Sequence, residues 1–120
     1  DVRILVRHLP LNPTSSVASA ELAVCASHLH VFPEVNRRLM SQDSWVSLSE
    51  PVLIAQSIGL EPTQGILDCL SSDYPGEVLS RESDLREGLG IRVTPTAVGR
   101  SRVLRGMPTV AELDSLARGL

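Results

Sequence analysis

A proline at position 95 stands where the hydropathy pattern asks for a strand to begin, inside the run Gly90-Ile91-Arg92-Val93-Thr94-Pro95-Thr96-Ala97-Val98-Gly99. Proline has no amide to give to a ladder, so it belongs at the first position of a strand or at a kinked edge. Upstream of this run the chain reads as mostly helical. Downstream it reads as a hairpin partner, Arg102-Val103-Leu104-Arg105-Gly106, and one closing helix. The Thr94-Pro95 bond in its ordinary trans form simply leads into the strand. The cis form costs only about 0.5–1 kcal/mol at an X-Pro bond. It would turn the Thr94 backbone outward and expose an amide and a carbonyl able to dock an extended peptide by strand addition.

At the other end of the chain, Val2, Ile4 and Val6 alternate with Arg3, Leu5 and Arg7, a β-branched run that predicts a strand buried largely on one face. Leu9-Pro10-Leu11-Asn12-Pro13 ends it, and Thr14, Ser15 or Ser16 is placed to cap a helix from Val17 to about His30. Pro33 suits the first turn of a short helix carrying Val35, Leu39 and Met40. Ser49 is a cap for a helix stopped by Gly59, and Pro62 or Thr63 starts another through Leu70. Residues 71–76 read as a connection. Glu77 to Leu89 then forms an amphipathic helix with Val78, Leu79, Leu85 and Leu89 inward and Gly90 as a left-handed stop. After a turn near Gly99-Arg100-Ser101, Thr109 and Glu112 have the spacing of a capping box for a last helix through about Arg118. No repeat or linker divides the 120 residues, and one α/β domain with about three strands is the reading.

Composition removes several classes of function. Phe32, Trp45 and Tyr74 are the only aromatics, so the core rests on Leu, Val, Ile and Ala, and a base-stacking nucleic-acid surface is not expected. All eleven basic residues are Arg, scattered rather than run together, against fourteen acids; a polybasic patch is not indicated. The longest apolar stretches fall far short of the ~20 residues a membrane span needs. The chain opens on an acidic residue and goes straight into a strand, which fits a processed or trimmed start.

Few residues have the placement of chemistry. His28 and His30 are two apart and leave a helix on different sides, so with His8 they make no metal set. No Gly-x-Ser-x-Gly elbow and no Gly-rich phosphate loop occur. The charges of 77–87 read as a solvated helix face. Cys25 and Cys69 lie 44 residues apart on separate predicted helices. Two buried thiols acting as small apolar side chains is one reading. A structural disulfide is another, contributing about 4 kcal/mol by loop entropy and requiring an oxidising compartment. A redox-active pair is the weakest, since neither sits at an N-cap with its partner one turn on.

Gly90-Ile91-x-x-Thr94-Pro95-Thr96, a short strand, a Gly turn, a second strand and a closing helix together resemble the C-terminal half of a DsbA-like thioredoxin-fold protein. Val2 to Leu11 is similar to that family's second core strand and the Pro-Leu turn leaving it. Ala23 to Leu39, Leu48 to Leu60 and Ile66 to Leu70 are similar to its helical insertion, here about 15–75. The resemblance implies a thioredoxin-like sheet with a helical insertion whose N-terminal β-α block is missing, because no Cys-x-x-Cys occurs in this sequence. Residues 1–120 would then be a single partial domain.

The activity implied is thiol–disulfide exchange in exported proteins of a bacterial cell envelope, in the periplasm or otherwise outside the cytoplasm. Protein or peptide thiols and disulfides would be the partners, with no cofactor and no metal. Thr94 and Pro95 would bind substrate, and the catalytic thiols would lie outside this chain. The alternatives are a redox-inactive thioredoxin-fold module for binding or assembly, which would self-associate through its open sheet edge, and a relative of the kappa-class glutathione transferases.

Overall fold

The computed structural model describes residues 2–10 and 15–120. Among these residues the order is α1 (Ser15–His28), α2 (Phe32–Ser41), α3 (Pro51–Ser57), α4 (Gln64–Ser71), α5 (Tyr74–Gly88), β1 (Thr96–Val98), β2 (Val103–Arg105) and α6 (Val110–Ala117). The described residues are thus mixed helical with one two-stranded antiparallel sheet. It forms two compact units, His8–Ser83 and a second made of Asp1–Arg7 with Asp84–Leu120; the boundary falls within α5.

The first unit is built around α1. From Leu22 to Ala26 every side chain is buried, so this stretch of the helix is apolar all round and must be covered on every side. Helices α2, α3 and α4 supply the cover. Val35 and Leu39 of α2, Ile54 and Ala55 of α3, and Ile66 of α4 meet Ala18, Leu22 and Ala26 in one core. His30 takes the left-handed conformation (φ 64°) that ends α1, and the Val31 amide returns to the Ala26 carbonyl at 2.8 Å. Pro33 lies in the first turn of α2, as its fixed φ favours.

Gly59 ends α3 in the same left-handed way (φ 78°), and the Arg38 guanidinium donates to the carbonyls of Ile58 (3.1 Å) and Gly59 (2.7 Å). Arg38 is aimed by Glu34, 2.7 Å from its Nε, and Glu34 also receives Arg37 at 2.9 Å. The Trp45 indole N–H donates to the Leu39 and Gln42 carbonyls (3.0 and 2.9 Å), joining the end of α2 to the following turn. Thr63 caps α4 by accepting the Ile66 amide at 3.2 Å.

In the second unit, α5 ends at Gly90 (φ 67°), with the Ile91 amide bonded to the Arg86 carbonyl at 3.0 Å. The hairpin register pairs Thr96 with Arg105, Ala97 with Leu104 and Val98 with Val103. The Gly106 amide extends it to the Pro95 carbonyl at 2.8 Å. The capping box of Thr109 and Glu112 is formed at 3.0 and 3.1 Å. Leu116 of α6 is buried where the hairpin turn passes it, and a Cβ on Gly99 would lie 2.6 Å from Leu116 Cδ1.

Several expectations are corrected. Residues 2–8 form no strand: the segment has no ladder partner among the described residues, and Val2, Ile4, Leu5 and Val6 are exposed. Alternation supplies a strand with two faces, but a strand exists only as a pair. The sheet is therefore two-stranded, not three. Leu85 and Leu89 are exposed rather than inward, and α5 begins at Tyr74 within the segment read as a connection, Pro75 serving its first turn. Glu50, not Ser49, is the N-cap of α3, with no side-chain bond. Thr14, a cap candidate for α1, and Leu11, in the Pro-Leu turn, lie outside the described residues.

Two predictions follow from these contacts. Gly99→Ala must displace Leu116 and is expected to destabilise the hairpin and α6 by about 1–3 kcal/mol, read as faster amide exchange at 97–104; unchanged exchange would show the turn is not closely packed. The Glu34 carboxyl, hydrogen-bonded first by Arg37 and then by Arg38, is held down to about 2 from 4.5. A folded-state value below the unfolded one gives stability that is present above pH ~4.5 and lost as pH falls toward ~2. An NMR titration of Glu34 should show that midpoint, and Arg37→Gln should raise it.

Candidate docking loop and the disulfide-tied helices

The candidate loop is built from the stop of α5 forward. Gly90 turns the chain out of the helix, and Arg92, Val93, Thr94 and Pro95 run exposed to the start of β1. The Thr94-Pro95 peptide bond is cis. Thr96 Oγ donates to the Val93 carbonyl at 2.6 Å, and the Pro95 carbonyl accepts from Gly106, so the residues on either side of Thr94 are engaged. The backbone amide and carbonyl of Thr94 have no hydrogen-bond partner among the described residues. Beside them, β1 pairs with β2 along one edge only. A donor, an acceptor and an open strand edge in sequence are what an extended peptide needs in order to add by main-chain pairing.

Directly upstream lies a cleft of about 430 Å³ lined by Arg86, Glu87, Gly90, Ile91 and Arg92. Arg86 Nη1 donates to the Ile91 carbonyl at 3.5 Å, and Nη2 lies 3.7 Å from Glu87. Reading 77–87 as a solvated helix face missed this cleft, because Arg86 is only partly exposed and faces it. Residues 88–111, which include Arg92 of the cleft, hold four arginines and no Asp or Glu.

Cys25 and Cys69 are joined in a disulfide, with Cα atoms 5.8 Å apart, tying α1 to α4. Both are buried, and they are the chain's only cysteines, so the structural bridge among the three readings is the one formed. The histidines stay apart from one another in role. His8 donates its amide to Glu82 at 3.0 Å and its ring meets Phe32 edge-on at 6.1 Å, while the His28 ring lies 4.9 Å from that of Tyr74. Among the described residues no group of three His, Cys, Asp or Glu is placed to hold a metal ion, and no helix is long and apolar enough to cross a membrane.

Closing a loop of this length, the bridge is expected to contribute about 4 kcal/mol by the loop-entropy estimate. Urea unfolding with and without reductant should show that loss in the helical unit, and a reduced protein of equal midpoint would show the bridge to be energetically idle. No family model, curated protein or solved structure matches this chain.

Proposed function

We propose that this chain is the substrate-docking and scaffold part of a DsbA-like thiol–disulfide oxidoreductase whose Cys-x-x-Cys lies upstream of residue 1. The observation that carries this reading is the backbone of exposed Thr94, unpartnered among the described residues, next to the edge of β1 that no described strand pairs. In exchange of this kind a thiolate attacks one sulfur of a substrate disulfide, forms a mixed disulfide and releases the other sulfur as thiolate. A second thiolate then attacks the mixed disulfide and frees the substrate. Thr94 contributes by holding the substrate backbone while sulfur and sulfur align, which removes orientational freedom from the attack. Exposed Val2, Ile4, Leu5 and Val6, with no ladder partner among the described residues, support the same reading, as a strand whose partner is supplied from outside these 120 residues. The buried Cys25–Cys69 bridge supports a compartment outside the reducing cytoplasm.

The same bridge favours one alternative. It uses both cysteines of the sequence, so within these residues the loop is a binding element with no thiol to serve. A redox-inactive thioredoxin-fold binding module is the second reading.

Intact mass of the protein from its native source, fully reduced and alkylated, separates the two. A mass well above 13.0 kDa with four or more alkylated cysteines is expected. A mass of 13.0 kDa with two would overturn the oxidoreductase reading and leave the binding module.

A further inference from the structure

We infer that the peptide taken at the Thr94 loop is acidic: an extended segment whose carboxylates are met by Arg92 at the cleft after α5 and by Arg105 on β2. The inference rests on the docking reading above and adds a substrate class to it.

Charge is segregated along the chain in a way the net value of −3 conceals. Residues 8–83 hold three arginines against nine acids, whereas 88–111, the loop and hairpin, hold four arginines and no acid. Placement sharpens this. The register sets Arg105 opposite Thr96, so the two side chains leave the same face of the hairpin, one residue from Pro95. Arg92 lies two residues before Thr94 and lines the 430 Å³ cleft.

Availability is the remaining point. Arg92, Arg100 and Arg105 are exposed, and no ion pair engages any of them among the described residues. Within the cleft Arg86 is held by Glu87 and the Ile91 carbonyl, which leaves the Arg92 guanidinium to meet a ligand. At physiological salt charges are screened over about 8 Å, so a docked carboxylate responds to the neighbouring arginines and to Glu87 of the cleft, whose charge Arg86 offsets from 3.7 Å.

A nucleic acid would also seek positive charge, but Phe32, Trp45 and Tyr74 all lie outside residues 84–120, so this unit has no aromatic side chain on which a base could stack. An unpaired amide and carbonyl beside an open strand edge serve a peptide backbone instead. In an added strand alternate side chains share a face about 10 Å across β1 from β2, so acids at every second position would share the hairpin face of Thr96 and Arg105, the long Arg105 side chain reaching over Thr96.

The test uses the full-length protein and three fluorescein-labelled peptides of alternating Val with Glu, Gln or Lys, measured by anisotropy at low and high salt. The Glu peptide is expected to bind about tenfold more tightly than the Gln peptide, with the preference lost at high salt. Arg92→Gln and Arg105→Gln should each weaken Glu-peptide binding by about two- to fivefold while leaving Gln-peptide affinity and the melting temperature unchanged. Equal binding of Glu and Gln peptides would overturn the acidic preference and leave docking intact. Failure of every peptide to bind the folded protein would overturn the docking reading and this inference with it. Tighter binding of a single-stranded oligonucleotide of equal charge would identify a nucleic-acid surface and overturn the inference.

Discussion

Helix α1 is buried on every side between Leu22 and Ala26, and the first unit depends on that one condition. A helix without a solvent face is stable only inside a shell, so α2, α3 and α4 are required as cover rather than added as decoration. The Cys25–Cys69 bridge fastens the shell to its axis at α4. Arg38, bonded at once to Glu34 and to the Ile58 and Gly59 carbonyls just after α3, fastens it at the other short helix. With only three aromatics in the sequence, small aliphatic side chains and these polar ties carry the packing.

The second unit is organised differently. Among its described hydrophobic residues only Leu116 is buried, whereas Val2, Ile4, Leu85, Leu89, Val110 and Leu113 are exposed. Its order comes from local devices: the left-handed glycine after α5, the hairpin register, the Thr109 capping box and the close approach of Gly99 to Leu116. Such devices set direction and register at about 1 kcal/mol apiece. They place a loop accurately without enclosing it, which suits a site that meets its ligand through backbone groups at an open edge.

The proposed docking loop occupies this less buried unit, which holds eight of the eleven arginines and five of the fourteen acids. Binding surfaces are commonly carried by segments that are positioned but not covered, because a covered backbone has already spent its hydrogen bonds. Thr94, like Arg92 before it, has a backbone amide and carbonyl with no partner among the described residues.

Much of the local structure was legible from residue order alone. Pro33 at a helix start, the stops at Gly59 and Gly90, the start of α4 at Pro62 or Thr63 and the Thr109–Glu112 box are governed by interactions spanning fewer than six residues, so they are readable from short windows. The position of Pro95 likewise placed the head of a strand. Tertiary structure decided the rest. Whether Cys25 meets Cys69 depends on how α1 packs against α4. Whether Val2–Val6 is a strand depends on a neighbour, and its alternation cannot supply one. Whether Leu85 and Leu89 are inward depends on what lies opposite them. The joining of Arg92 to a cleft and of Arg105 to Thr96 came only from the helix stop and the hairpin register acting in space, because charge patterning along a chain does not reveal which residues share a face.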